Sequence, residues 1–301
     1  MPQLARSCVS YRLGAAAAVS LHRTASRSVR EDTAVRRLPL ITLVAVSIWI
    51  AVVLVLDRSV GYTGQLVLGL LTAGVLAGLL VLQPKTVRLQ TLAVVGIATV
   101  GEVIGSLVWG LYSYRLDNLP AFVPPGHGLV YLAGLSVASL LATRTSALLV
   151  AAGVVAAGWG IAGLTVLPAP DASGTMGCAF LIAVLIWSRR PVYAGVFMVV
   201  VALELYGTAI GTWTWEPVVP GLHLSQGNPP SGVASGYVVF DVLALALVSR
   251  LGAAAGALQS RRGRRSAGVT AAPVRISSRA ESTLPQASHS RNPRALPSPS
   301  T

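Results

Sequence analysis

Eight apolar runs alternate with short polar segments along the middle of the chain. They lie at 38–56, 66–82, 89–111, 128–142, 146–167, 174–187, 192–213 and 233–251. A bilayer-spanning α-helix needs about 17–25 residues, so most of these runs predict transmembrane helices. Runs 128–142 and 174–187 are shorter, and segments of that length also form re-entrant or interfacial structures.

The positions of arginine and lysine favour a span for every run. With eight spans, 21 of the 23 basic residues fall on one side of the membrane, and only Arg58 and Arg115 fall on the other. Removing either short span would move Arg144, or Arg189 and Arg190, to the minority side. Because cytoplasmic loops are enriched in basic residues, we expect eight transmembrane helices with both termini in the cytoplasm.

The composition excludes an ordinary soluble protein. Hydrophobic residues make up 53% of the chain and charged residues 11%, and the mean hydropathy is +0.69. Soluble domains carry about 25% charged residues. The predicted fold class is therefore all-α, a polytopic membrane helix bundle. A basic complement made almost entirely of arginine, with abundant Ala and Gly, indicates a bacterial source, and hence the bacterial plasma (inner) membrane.

The net charge of +13 comes mainly from the two ends of the chain, which hold fifteen of the 23 basic residues. Basic arms beside membrane spans contact anionic lipid, so we expect a lipid bilayer and not nucleic acid as their partner. Both arms have few large apolar residues. We predict disordered cytoplasmic arms at 1–37 and 259–301 around a membrane domain at 38–258.

The membrane domain contains an internal repeat centred on two acids. One copy reads GEVIGSLVWGLYSY from Gly101 and continues to PPGHGLVY, and the other reads LELYGTAIGTWTW from Leu203 and continues to NPPSGVASGY. Each has a glutamate, a glycine three residues later, an aromatic pair at alternate positions and a Pro-Pro loop. Each acid falls in the third span of a group of four, which predicts two parallel four-helix repeats at 38–143 and 144–258.

The two acids, Glu102 and Glu204, are the leading candidates for catalysis. An ionisable residue inside a span is costly, at least about 2.5–3.5 kcal/mol, so it marks a functional site by default. Both lie about 13 residues into their spans, which predicts matching depth in the outer half of the bilayer and one shared site. The hydroxyls of Ser106 and Thr208, one turn later, are expected to bond the carboxyls. The alternative is that each carboxyl only joins two helices.

Asp241 in the last span is a third intramembrane acid and a further catalytic candidate, with Tyr237 one turn before it. The other candidate ligand-binding residues lie near the outer ends of the acidic helices. They are Tyr112, Tyr114, His127, Tyr131, Trp213, Trp215, His223 and Asn228. The four aromatic residues of the repeat fit either an interfacial aromatic belt or the mouth of a site for an apolar ligand.

No cofactor is implied by the sequence. His127 and His223 are expected in outer loops, do not align between the copies and lack metal-ligand spacing, so we predict ordinary loop histidines and no metal. Two cysteines, Cys8 and Cys178, provide neither a disulfide framework nor a metal site.

The stretch from Glu102 to Tyr114 has the form E-x-x-G followed by G-x-Y-x-Y, with glycines at Gly105 and Gly110 and the first tyrosine at Tyr112. It resembles membrane carotenoid-biosynthesis proteins of the carotenoid hydratase type. The resemblance implies a multi-span enzyme that protonates and hydrates an isoprenoid double bond, with Glu102 as an acid.

The leading hypothesis is a multi-pass membrane protein that binds or modifies an apolar lipid, such as an isoprenoid, by acid chemistry. A proton-coupled transporter of small solutes is the first alternative, since parallel repeats and intramembrane carboxylates are expected there too. A non-catalytic membrane scaffold is the second.

Overall fold

The computed structural model describes residues 37–167 and 169–269, with side chains as far as Gln259. The chain divides into two units, Met1–Ala253 and Ala254–Thr301. The first unit contains the helix bundle and the site described below. The described part of the second unit is the final stretch of the last helix. The arm predicted at 1–37 lies outside the described residues except for Arg37.

Within the described residues, each of the eight apolar runs falls on one α-helix. The helices are α1 Arg37–Asp57, α2 Tyr62–Val81, α3 Lys85–Glu102, α4 Val123–Leu140, α5 Thr145–Thr165, α6 Ala172–Ser188, α7 Pro191–Ala209 and α8 Ala234–Val269. A π-helix, Val103–Trp109, continues α3, and two short strands, β1 Tyr112–Tyr114 and β2 Trp213–Trp215, follow the helices that carry the glutamates. Helix α8 continues past residue 258, where the tail was expected to begin.

Six of these helices are long and apolar enough to cross a membrane, namely α1, α2, the continuous α3 and π-helix, α5, α7 and α8. The two short runs correspond to α4 and α6, which are not among the six. Helix α6 has 17 residues, and α4 opens with VPPGH, in which only Val123 is strongly hydrophobic. The structure therefore shows a multi-pass membrane protein, while the count of eight spans and their orientation remain predictions.

Helix α4 packs at the centre of the bundle, against α2, α3 and α7. Its residues from His127 to Gly134 are all buried. Glycines let α4 and α7 approach closely: a Cβ on Gly134 would lie 2.4 Å from the Val196 side chain, and one on Gly195 would lie 2.2 Å from the Gly134 carbonyl oxygen. Small residues at such crossings are what helices in membranes use to pack, because apolar burial alone gives no preference over lipid.

Two buried aspartates fix the loops at the end of the bundle where the strands lie. Asp171 accepts hydrogen bonds from the backbone N–H groups of Gly174 at 3.0 Å, Gly227 at 2.9 Å and Ser231 at 2.6 Å. Asp57 accepts from Gln65 at 2.7 Å and lies 3.6 Å from the Arg115 guanidinium. Each carboxyl ties a loop to the start of a helix, so the loops around the strands are held in place.

The strands β1 and β2 pair antiparallel, with Tyr112 opposite Trp215 and Tyr114 opposite Trp213. Each strand follows a glycine with a left-handed backbone, Gly110 at φ 71° before β1 and Gly211 at φ 76° before β2. A left-handed residue ends a helix and redirects the chain. The pairing brings the carboxyl-terminal ends of α3 and α7 to the same end of the bundle.

Candidate carboxylate site

Glu102, at the end of α3, is buried and binds three side chains. Its Oε2 accepts hydrogen bonds from the hydroxyls of Tyr112 at 2.6 Å and Tyr114 at 2.7 Å. Its Oε1 lies 2.8 Å from Nε2 of His127, which is near the start of α4. Both oxygens of this carboxyl are therefore in short hydrogen bonds, two of them from the aromatic pair of its own copy of the repeat.

Glu204, in α7, has an equivalent set of partners. Its Oε2 accepts from the indole N–H of Trp213 at 2.9 Å and of Trp215 at 3.3 Å. Its Oε1 accepts from the Tyr237 hydroxyl of α8 at 3.2 Å. In both copies, one carboxyl oxygen takes the aromatic pair of the following strand, and the other takes a side chain from the helix after that strand. Both copies of the repeat therefore build the same local arrangement, a glutamate whose carboxyl is hydrogen-bonded by the aromatic pair that follows it and by one side chain of the next helix.

The glycine three residues after each glutamate makes room for the first ring of the aromatic pair. A Cβ on Gly105 would lie 3.3 Å from the Tyr112 ring, and a Cβ on Gly207 would lie 2.0 Å from the Trp213 ring. A larger residue at Gly207 would displace the Trp213 ring from the helix, and one at Gly105 would press on the Tyr112 ring. In both copies, E-x-x-G followed by two aromatic residues therefore encodes the same geometry: the glycine leaves space for the first ring, which donates to the glutamate.

The π-helix after Glu102 absorbs a one-residue difference between the copies. Gly110 follows Glu102 by eight residues, whereas Gly211 follows Glu204 by seven. A π-helix holds one more residue per turn than an α-helix, and such segments often occur at functional sites. The extra residue in the first copy is accommodated in this way, and Tyr112 and Trp215 still come into register opposite each other.

One cavity of about 200 Å³ lies between the two carboxyl groups. Both glutamates, both aromatic pairs, His127 and Tyr237 line it. Apolar and aromatic residues of α1, α3, α4, α7 and α8 provide most of the remaining wall, among them Trp49, Val53, Gly101, Phe122, Val130, Leu203 and Phe240. Both predicted glutamates therefore line one mainly apolar cavity.

Aromatic rings connect the two sets of donors across the cavity. The ring centroids of Tyr112 and Trp215 are 4.4 Å apart, and those of His127 and Tyr237 are 4.9 Å apart. Aromatic pairs at these separations stabilise one another beyond the area that they bury. Each contact joins a partner of Glu102 to a partner of Glu204, so the two carboxyls belong to one packed cluster.

The tyrosines of β1 stay protonated over a wide pH range. Burial, together with the Glu102 carboxylate, raises the pKa of Tyr112 and of Tyr114 far above the usual value of a phenol. An ionised phenol beside a carboxylate in an apolar wall would be strongly unfavourable. At neutral pH both hydroxyls are therefore hydrogen-bond donors to Glu102.

Several predicted contacts differ from the observed ones. The hydroxyls of Ser106 and Thr208 donate to the backbone carbonyl oxygens of Glu102 at 2.7 Å and Glu204 at 2.6 Å, not to the carboxyls. A serine or threonine in a helix readily satisfies itself on the carbonyl four residues earlier. These two hydroxyls consequently lie outside the cavity wall.

His127 lies in α4 and not in a loop, because the proline pair before it fits the first turn of a helix. His223 was expected, like His127, in an outer loop near the end of a glutamate-bearing helix; it is exposed and does not line the cavity. Asn228 is also exposed; its side-chain oxygen accepts from the backbone N–H of Trp215 at 3.1 Å, so it supports β2 without reaching the carboxyls. Of the two histidines, the structure brings only His127 to the glutamates.

The third predicted acid, Asp241, is buried in α8 but does not line the cavity. Its Oδ2 atom has no hydrogen-bond partner within the described structure. Tyr131 is likewise buried outside the cavity wall, where its hydroxyl donates to Gln90 at 3.3 Å. Each is one helical turn beyond a cavity residue, Tyr237 and His127 respectively, so the sequence placed them close to the site but on the wrong turn.

The polar atoms of both aromatic pairs donate to the carboxyls, and their rings line the cavity. Their place in an interfacial belt stays a prediction. Sequence reasoning missed Trp49 and Phe240, which also line it. A ring of Phe240 fills the space over Gly101, where a Cβ would lie 2.3 Å from it. The glycine directly before Glu102 was the one available signal that another helix approaches there.

The fold and this cluster define a multi-pass helical membrane protein with a buried two-carboxylate cavity. The chain matches no family model, no curated protein and no solved structure. The function must therefore be inferred from the cavity itself.

Proposed function

We propose that this protein binds one end of an apolar lipid of the isoprenoid class between Glu102 and Glu204 and modifies it by acid chemistry. The observation that carries the proposal is that both intramembrane glutamates line one cavity whose remaining wall is mainly apolar and aromatic. An apolar wall selects an apolar ligand, and the few convergent polar groups fix its orientation.

The size of the cavity favours a ligand that enters with one end only. Its volume is about 200 Å³, whereas pockets that enclose a whole drug-sized molecule measure about 300–1,000 Å³. A long isoprenoid chain would leave most of its length outside, beside the apolar outer face of the bundle. The resemblance of the Glu102–Tyr114 stretch to proteins of the carotenoid hydratase type supports the same substrate class.

Acid chemistry on an alkene needs a proton donor and a stable place for a positive charge. A carboxylic acid gives its proton to one alkene carbon, whose π electron pair forms the new C–H bond and leaves the other carbon cationic. Water then adds through its oxygen and returns a proton to the carboxylate, so that the net change is the addition of H and OH. Dry walls keep the donor and the cation away from bulk solvent.

The rings around the cavity suit a cationic centre. The faces of Trp and Tyr attract a positive charge, by about 2 kcal/mol or more when the pair is removed from water. Trp49, Trp213 and Trp215 line the cavity together with Tyr112 and Tyr237. With Tyr114, six such rings line the cavity around the two carboxyls and form an environment for a short-lived carbocation.

One observation favours the alternative of a proton-coupled transporter. Asp241 is a buried acid without a partner on Oδ2 and lies outside the cavity. Chains of buried acids carry protons in transporters. A transporter would acidify the lumen of proteoliposomes when its solute is driven inward, and an enzyme or lipid binder would not.

The test is the lipid that accompanies the purified protein. Mass spectrometry of organic extracts should find an isoprenoid enriched with the wild type, and less of it with Glu102→Gln or Glu204→Gln. Glu216→Gln is the matched control, because Glu216 is exposed and does not line the cavity. Equal lipid content in all four preparations would contradict the proposal. The transporter and the non-catalytic scaffold would then be the two alternatives.

A further inference from the structure

The two glutamates face the same cavity but have hydrogen bonds of different length. Those of Glu102 measure 2.6, 2.7 and 2.8 Å. Those of Glu204 measure 2.9, 3.2 and 3.3 Å. Hydrogen bonds to an ionised carboxylate are short, about 2.5–2.7 Å from O–H and about 2.7–2.9 Å from charged N–H donors. Only the set around Glu102 has the lengths of an ionised acceptor.

One partner, a histidine, distinguishes the two acids in the same direction, although both acids also have phenol partners. Glu102 faces His127, whose ring nitrogen can donate to a carboxylate either as an imidazolium or as a neutral tautomer. Glu204 faces two indoles, which only donate, and one phenol, which both donates and accepts. A proton on Oε1 of Glu204 would therefore have the Tyr237 oxygen as its acceptor, while Oε2 continues to accept from Trp213 and Trp215.

Two like charges on one mainly apolar cavity repel each other, so a pair of acids there is most stable with one ionised member. We infer that the two glutamates have different roles. Glu204 carries the proton that is transferred to the substrate, and Glu102 is ionised and faces the cation that forms. The roles rest on the proposed function, whereas the protonation states are properties of the protein without a ligand.

In this scheme the proton leaves Oε1 of Glu204 and bonds to the alkene carbon. The cation is then flanked by two carboxylates, Glu102 and the newly ionised Glu204. Water, the co-reactant, adds to the cation and gives its proton to Glu204, which restores the starting state. Glu102 exchanges no proton in this scheme and keeps its short hydrogen bonds to Tyr112, Tyr114 and His127.

Infrared spectroscopy of the wild-type protein near pH 7, with ¹³C-labelled glutamate side chains and no added ligand, tests the inference. The isotope moves the C=O band of protonated glutamic acid away from that of aspartic acid, so Asp241 does not interfere. We expect one protonated glutamic acid per chain. Finding none, or two, would overturn the inference without any variant having to fold.

The variants assign that band. It should be lost in Glu204→Gln and retained in Glu102→Gln, with Glu216→Gln as the matched control. Loss of the band in Glu102→Gln, with retention in Glu204→Gln, would reverse the roles and overturn the inference. Because no lipid is needed, a failure of the proposed function and a failure of this inference are seen in separate experiments.

Discussion

Gly207 lies directly beneath the indole ring of Trp213, so that a Cβ at this position would come within 2.0 Å of the ring. The indole in turn donates to Glu204 from 2.9 Å. The absence of a side chain at Gly207 therefore allows the Trp213 indole to reach the Glu204 carboxyl. The same relation holds in the first copy between Gly105 and Tyr112, with more space.

Gly207→Ala should displace Trp213 and lower the stability of the bundle by about 1–3 kcal/mol, the usual cost of overpacking. Gly105→Ala should cost less, because its nearest ring atom would be 3.3 Å away. Thermal unfolding in detergent measures both. The matched control is Gly153→Ala in α5, where nothing lies within 4 Å of the added Cβ. A Gly207→Ala variant as stable as Gly153→Ala would show that the ring does not lie where described.

Trp213→Phe should lower the free energy of unfolding more than Trp215→Phe does. Each change removes one N–H donor to Glu204, but the bond from Trp213 is shorter, at 2.9 Å against 3.3 Å. In each variant the other indole still donates to Oε2, so the loss should be that of a single hydrogen bond, about 0.5–1.5 kcal/mol. Trp213 is also the more buried ring. Unfolding of the two variants in the same detergent makes the comparison, and equal losses would mean that the indoles serve only to fill space.

Tyr112→Phe should make the free energy of unfolding fall less steeply as the pH rises above about 10. Burial and the Glu102 carboxylate raise the pKa of Tyr112 above its usual value near 10. Below about pH 10 both folded and unfolded chains keep this proton; above it the unfolded chain loses the proton first, so stability falls as pH rises. Removing the phenol should reduce this fall by about 1.4 kcal/mol per pH unit. Chemical unfolding between pH 8 and 11 measures it, and parallel curves would contradict the assignment.

Asp171→Asn should lower stability whereas Asp241→Asn should not, although both aspartates are buried. Asp171 accepts three backbone N–H bonds through both oxygens, and an amide would turn a donor toward one of them. That change should cost about 1.5–3 kcal/mol. The Oδ2 atom of Asp241 has no partner to lose. Its variant should keep wild-type stability and lipid content within error, and a loss of bound lipid would instead return Asp241 to the site.

The number of spans can be tested with reporter fusions. If α4 and α6 also cross the membrane, fusions after Arg58, Arg115, Asp171 and His223 should report an external location. Fusions after Arg88, Arg144, Arg190 and Arg261 should report the cytoplasm. A cytoplasmic signal at Asp171 would rule out the eight-span arrangement.

Hydropathy alone determined where the helices lie, because a chain in lipid must satisfy its backbone hydrogen bonds within each helix. The apolar runs at 128–142 and 174–187 became helices even though both fall short of a full span. The internal repeat also pointed to Glu102 and Glu204 and to the aromatic pair that follows each of them. These features are local, since a glutamate, a glycine and two rings within about 13 residues depend on few distant contacts.

Tertiary structure decided which of the nearby polar residues reach the acids. Pairing of β1 with β2 turned Tyr112 and Trp213 inward, where the sequence equally allowed an interfacial belt. The π-helix corrected the register of the first copy, which no hydropathy pattern shows. One helical turn separates Tyr237 from Asp241 and His127 from Tyr131, and only packing of α4 and α8 against α3 and α7 selects the first of each pair. A sequence gives the order of such residues, but their distance across the bundle depends on how the helices meet.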